Sequence, residues 1–324
     1  MKRFFLLFFL LSAFLLLSNS FIGKVHAQEQ VIKLPHSNFD RWIVRNLKES
    51  GIIGGNEKRI YAIGATDTVA GNTPYVPAKD AIWGSSNVMA KVMGVVKGSC
   101  SVFPEERGNG YCVRMETVLE DVKAVGLFHY KVIATGSVFT GHIVEPVKDA
   151  KNPMAKMMLG IPFTQRLTAV RFDYKTKTGG KRQKASGLGS VTDLGGSNNS
   201  EVSVILQKRW EDSDGNVYAK RVGTAWICFD KDQLEWVNKY TLPINYGDIT
   251  RASYFKPYMG LVEGENTYYC LNSKGKATPI KEIEWADPDE MPTHIVVRCS
   301  SGNGGAYVGA VGDILWLDNF ELVE

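Results

Sequence analysis

Apolar and β-branched or aromatic positions recur with a period of two along most of the chain, in short runs separated by turn residues. The runs are Val88 to Val96, Tyr111 to Thr117, Tyr130 to Val138, Leu167 to Tyr174, Val202 to Trp210, Tyr218 to Phe229, His294 to Cys299 and Ala306 to Val323. Such alternation predicts half-buried strands. Ahead of them, Phe39, Trp42, Ile43 and Leu47 stand at near-helical spacing until Gly51 and Gly54-Gly55 stop the pattern, which predicts one short helix within residues 38–50. No strand–helix–strand rhythm follows, so a doubly wound sheet is disfavoured and the expected fold is all-β, a jelly-roll β-sandwich with a short N-terminal helix.

Punctuation refines that picture. Asp212-Ser-Asp-Gly-Asn216 lies between two strand runs, and its Asp-Gly pair suits a hairpin turn. The same residues imitate the opening of a calcium loop, but an EF-hand needs Gly sixth and Glu twelfth, where this chain has Val217 and Gly223. The Gly/Ser/Asn-rich stretch 179–200 has few residues to bury and reads as a long mobile loop. No internal repeat is seen. The expected division is a leader at 1–27, an N-terminal segment at 28–75 packed on the domain, and the sandwich domain at 76–324.

The leader carries its own signature. Lys2 and Arg3 precede an apolar run from Phe4 to Leu11 that resumes from Ala13 to Leu17, and Val25-His26-Ala27 offers a small-residue exit. A secretory signal peptide cleaved after Ala27 is expected, giving a periplasmic, secreted or cell-surface bacterial protein. No later run is long enough to span a membrane. No cysteine stands near the leader, so lipid attachment is not expected. Removing residues 1–27 takes away Lys2, Arg3 and Lys24 and no acid, leaving 35 basic against 34 acidic residues. A nearly neutral chain lacks the basic stripe that a phosphate backbone requires, which sets nucleic acid aside. The five cysteines fall at 100, 112, 228, 270 and 299, and an oxidising compartment permits a Cys100–Cys112 bridge around the intervening loop. Free buried thiols are the other reading for the remaining three.

Catalytic and metal signatures are sparse. No Gly-x-Ser-x-Gly elbow, phosphate loop or dinucleotide fingerprint occurs. The histidines beyond the leader, His36, His129, His142 and His294, show no metal-gathering spacing, and there is no Cys-x-x-Cys. No metal and no cofactor are therefore assigned. Glu282-Ile-Glu284-Trp285-Ala-Asp287 is the most suggestive acidic run, since alternation would put Glu282 and Glu284 on one strand face, as paired-carboxylate chemistry requires.

Several motifs, taken in their order, resemble the putative carbohydrate metabolism domain (PCMD) family of secreted bacterial proteins. They are Trp83-Gly-Ser-Ser-Asn87, Gly110-Tyr-Cys-Val-Arg-Met-Glu-Thr117, Thr135-Gly-Ser-Val-Phe-Thr-Gly141 and Gly160-Ile-Pro-Phe-Thr164. The series continues with Val170-Arg-Phe-Asp-Tyr-Lys175, Cys299-Ser-Ser-Gly302 and Gly312-Asp-Ile-Leu-Trp-Leu-Asp-Asn-Phe-Glu-Leu322. One departure is Leu167 after Arg166, where the family pattern usually has proline. The resemblance implies a sandwich like that of carbohydrate-binding modules and a carbohydrate partner, with no catalytic residues to carry over. In such folds an acid near the last strand helps to hold a structural calcium, which makes Asp318 the metal suggestion. Its bland alternative, Asp318 and Asn319 capping a turn, is the favoured one.

Sugar recognition needs an aromatic face against the pyranose and polar side chains for its hydroxyls. Trp83, Trp210, Trp226, Trp236 and Trp285 are aromatic candidates, although strand tryptophans mostly serve core packing. Within Arg171-Phe-Asp-Tyr-Lys175, period two separates Phe172 and Tyr174 from Arg171, Asp173 and Lys175, leaving a charged face for a ligand or for solvent. The expected function is non-catalytic glycan binding, with Trp83, Asn87, Arg171, Tyr174 and Trp210 as the contacts. Two alternatives are an envelope structural or adhesive protein that binds another protein, and a polysaccharide hydrolase or lyase.

Overall fold

A computed structural model describes residues 29–124 and 126–324. The expected leader, residues 1–27, lies outside the described residues. The chain from Val31 to Glu324 forms one unit. Among the described residues the regular structure is β-strand with short 3-10 turns, as the alternation predicts.

The strands that matter for the site are, in chain order, β1 (Val31–Lys33), β2 (Trp42–Lys48), β3 (Glu57–Ile63), β4 (Val102–Arg107) and β5 (Gly110–Glu116). Then come β6 (Ser137–Ile143), β7 (Met157–Leu159), β8 (Ala169–Lys177), β9 (Ser200–Glu211) and β10 (Val217–Phe229). The last are β11 (Gln233–Pro243), β12 (Tyr269–Leu271), β13 (Ala277–Trp285), β14 (His294–Ser300) and β15 (Ile314–Val323).

One sheet runs β11-β8-β15-β5-β4, with β1 paired to β15. The second runs β14-β9-β10-β13-β12-β7-β6 and returns to β14, because Ser137, Val138 and Phe139 pair with Ser300, Cys299 and Arg298. Seven strands thus close into a barrel, a closure that leaves no free edge around the ring. The β10–β13 and β7–β12 pairs are parallel, and the other pairs of the ring are antiparallel.

The chain is all-β as expected, but a closed barrel beside an open sheet stands where a jelly-roll sandwich was expected, and the open sheet shares its core with the wall made by β9, β10 and β14. Val113, Met115, Val170, Phe172, Leu315, Leu317 and Phe320 meet Val202, Val204, Leu206, Val222, Ile295 and Val297 in one apolar cluster. Strand β9 is buried on both faces, since Val202, Val204 and Leu206 point to that cluster while Glu201, Ser203, Ile205 and Gln207 alternate with them into the barrel. The barrel interior mixes an apolar belt of Phe139, Leu159, Ile205, Val217, Ile280 and Val296 with charged pairs.

Three local expectations change. Residues 42–48 form strand β2, paired with β3, and not a helix. Its buried face is Ile43, Arg45 and Leu47. Because a charged Arg45 occupies the middle of that face, the apolar positions alone imitate a helical spacing. Arg45 tolerates burial because its guanidinium makes a two-pronged pair with Glu145, whose carboxylate also accepts from the backbone N–H groups of Tyr75 and Met89. The stretch 179–200 holds short strands at Lys181–Lys184, Ser186–Leu188 and Thr192–Ser197, so backbone pairing orders a segment with little to bury. All five cysteines are free thiols, Cys100 and Cys112 included. Burial pushes both of those thiols up to about 12. The Asp212–Asn216 hairpin is as expected: Asp212 Oδ1 accepts from the N–H groups of Asp214 and Asn216, and Gly215 supplies a φ of 90°.

Candidate functional site

The barrel has an open mouth where β6, β7, β9, β10, β12 and β14 end, and a cavity of about 340 Å³ opens there. His142, Leu159, Gly160, Arg209, Glu211, Cys270 and His294 are among its lining residues, with Trp210 at the same place. Alternation along β9 explains the central group, since Gln207 and Arg209 follow Ile205 on the barrel face at every second position.

Arg209 is held by neutral partners. Its Nε donates to Gln207 Oε1 at 2.7 Å and its Nη1 to the Leu159 carbonyl at 3.0 Å, while Nη2 is buried without a hydrogen-bond partner. Burial brings this guanidinium down to about 10. Gly160 makes the approach possible. It sits at φ 93°, and a Cβ there would lie 2.5 Å from Arg209 Nη2. Two histidines line the same cavity in neutral form. Burial and the charge of Arg209 lower His294 to about 4, and burial lowers His142. Thr293 Oγ1 lies 2.9 Å from His294 Nδ1 and pins the ring. Burial raises Cys270, which stays a thiol. Glu211 is turned to Ser273, accepting from its N–H at 2.8 Å and its hydroxyl at 2.6 Å. Trp210 is 40% exposed, with its ring stacked 5.8 Å from that of Tyr218.

Behind the cavity, the barrel is braced by ion pairs. Arg221 and Glu282 have side chains 0% and 1% exposed, joined by Nε–Oε1 and Nη2–Oε2 contacts of 2.8 and 2.5 Å. Glu282 also accepts from Gln207 Nε2 and from the Val262 N–H. Burial acts to raise this carboxyl, but Arg221 and these donors hold it below its ordinary value. Glu201 pairs with Arg298 and accepts from the indole of Trp226 at 2.9 Å.

The residues expected to bind sugar are scattered. Trp210 alone of the five lines this cavity. Trp83 is 4% exposed, packs edge-on against Phe39 and Phe320, and donates its indole N–H to the Pro35 carbonyl. A ring so enclosed offers no face to a sugar. Asn87 is equally enclosed: its amide donates to the carbonyls of Tyr61 and Val102 and accepts from the N–H groups of Ser101 and Val102. These four bonds use its whole capacity to tie strands together. Tyr174 stacks on Phe229 at 4.4 Å against the main apolar cluster. Arg171 stands opposite Glu321 in the sheet and contacts Thr241. Asp318 is occupied by Arg107, which lies 2.5 Å away and also bridges to Asp173, and its other oxygen caps the Asn319 N–H. Asp318 and Asn319 lie inside β15, at a register shift opposite Arg171 and Asp173, so Asp318 serves an ion pair within the sheet and not a turn at an edge.

The expected shared face of Glu282 and Glu284 is also absent. The pairing shifts register so that Ala219 faces Glu282 and Lys220 faces Glu284, skipping Ile283. That bulge turns Glu282 into the barrel and leaves Glu284 outside, paired with Lys220. Sequence reasoning met Gly160 only as the start of a family motif, set His142 and His294 aside for want of metal-gathering spacing, and did not single out Arg209. The one legible signal was a polar residue at successive alternate positions, Gln207 and Arg209, of a strand read as half-buried.

The profile of the putative carbohydrate metabolism domain family matches residues 57–254, and the chain belongs to that family. No curated protein matches it. Among solved structures, a putative glycoside hydrolase from Bacteroides thetaiotaomicron VPI-5482 is similar at 16% identity and a TM-score of 0.43, over 82% of this chain and 74% of that one. A putative glycoside hydrolase from Bacteroides vulgatus ATCC 8482 is similar at 13% identity and a TM-score of 0.42, over 91% of this chain and 95% of that one.

Proposed function

We propose that this protein is an exported glycan-binding protein of the bacterial periplasm or cell surface that holds its sugar at the barrel mouth without cleaving it. The observation that carries this reading is the exposed Trp210 beside a concave site in which Arg209, His142 and His294 converge. An aromatic face next to a few fixed polar groups is how proteins orient a pyranose. Membership of a carbohydrate-related family agrees with it.

Binding is favoured over hydrolysis by the charge inventory of the cavity. Glycoside hydrolysis by the usual route needs two carboxyl groups across the bond, roughly 5–9.5 Å apart. Glu211 is the carboxylate among the lining residues, and it is committed to Ser273.

The test is a broad glycan array with the purified protein, followed by reducing-sugar release on every hit. Saturable binding that Trp210→Ala weakens several-fold, with no sugar released, is the expected result. Release of sugar would move the protein to the hydrolase class. Silence across the array would leave the envelope protein-binding role as the better account.

A further inference from the structure

The barrel treats its arginines unequally. Arg221 has Glu282 and Arg298 has Glu201, while Arg45, beside the barrel, has Glu145. Arg209 forms no ion pair among the described residues and spends two of its nitrogens on a neutral amide and a carbonyl. The acid best placed to serve it, Glu282, is already neutralised by Arg221, and Gln207 stands between them as a neutral spacer. Glu211 is engaged by Ser273. A guanidinium withdrawn from water without a counter-charge is costly unless something supplies one.

The surroundings state what that something is. The uncompensated cation lines a cavity large enough for a sugar ring, which two uncharged imidazoles and an exposed indole also line. A planar fork of N–H donors matches a planar carboxylate better than any neutral hydroxyl. We propose that the cavity takes an acidic sugar, a uronic acid residue whose carboxylate lies against Arg209, with His142 and His294 beside its hydroxyls and Trp210 at its edge. This rests on the glycan-binding reading and narrows it to one class of glycan.

The experiment is calorimetric titration of the purified protein with oligogalacturonate, oligoguluronate and glucuronoxylan. Each is compared with its methyl-esterified or carboxyl-reduced form, and neutral xylan, neutral mannan and a sulfated galactan complete the panel. At least one uronate should bind tenfold or more tighter than its own ester, with a preference that weakens as salt is raised. Arg209→Lys should lose most of that preference, and Arg209→Gln all of it. Should Arg209→Gln fail to fold, the acid-against-ester comparison on the unaltered protein and the Lys variant still decide. As a second readout, the His294 ring resonances should titrate at higher pH with the uronate bound than without it. Equal binding of acid and ester, or binding confined to neutral or sulfated glycans, would overturn the inference and leave the glycan-binding reading standing. No binding to any member would remove both.

Discussion

The side-chain amide of Gln207 accepts a 2.7 Å hydrogen bond from Nε of Arg209 and, through its own nitrogen, donates to Glu282. One neutral residue thus couples the cavity to the buried Arg221–Glu282 pair while keeping negative charge away from Arg209. The site and the scaffold are parts of one hydrogen-bonded chain, and perturbing either end should be felt differently in binding and in stability.

Removing the scaffold's charge should be expensive. Glu282→Gln leaves Arg221 buried without its carboxylate, for which a loss of about 3–5 kcal/mol is expected. Replacing both partners by apolar residues, Arg221→Met with Glu282→Leu, should recover much of that loss. Urea denaturation of both variants measures it, and a Glu282→Gln protein as stable as the parent would contradict the role given to the pair.

Acid should destabilise the fold through His294. Its folded pKa, about 4, lies below the ordinary histidine value of about 6.5, so the unfolded chain binds more protons between those limits. Stability should therefore fall as pH drops from about 6.5 toward 4, by on the order of 2–3 kcal/mol in total from this group. His142 is shifted in the same direction and adds to the trend. Denaturation curves at pH 7, 5.5 and 4.5 read the slope, and His294→Gln should flatten it.

The two tryptophans of the sequence reading should separate cleanly. Trp83→Ala removes a core ring and should cost about 3–5 kcal/mol of stability. Trp210, with 40% of its surface exposed, should cost far less when changed to alanine and should weaken glycan binding instead. Thermal melts beside binding titrations would expose an exchange of these two roles.

Gly160 should resist substitution. Alanine there must hold a φ of 93° and push against the Arg209 guanidinium, at a cost of about 1–3 kcal/mol. The guanidinium has to move, so binding at the cavity should drop by more than the stability loss explains. A Gly160→Ala protein that folds and binds as the parent does would show that the close approach is dispensable.

Much of the architecture was legible in the chain. Period-two runs mark β5, β8, β9, β10, β14 and β15, the Asp-Gly pair marks the hairpin at Gly215, and the ordered motifs mark the family, because each depends on neighbours a few residues apart. Residues 42–48 were misread for the complementary reason: the partner that lets Arg45 be buried is Glu145, far along the chain.

The site itself belongs to the tertiary structure. Closure of the barrel through the pairing of β6 with β14 brings His142 and His294 to one cavity. A bulge at Ile283 parts Glu282 from Glu284, and packing decides that Trp83 is enclosed while Trp210 meets solvent. The period-two runs and the Asp-Gly turn could be read along the chain, since backbone sterics and side-chain alternation act locally. Which strands meet, in what register, and which charge is left without a partner were decided by the closed sheet, where pairing and burial act between residues distant in sequence.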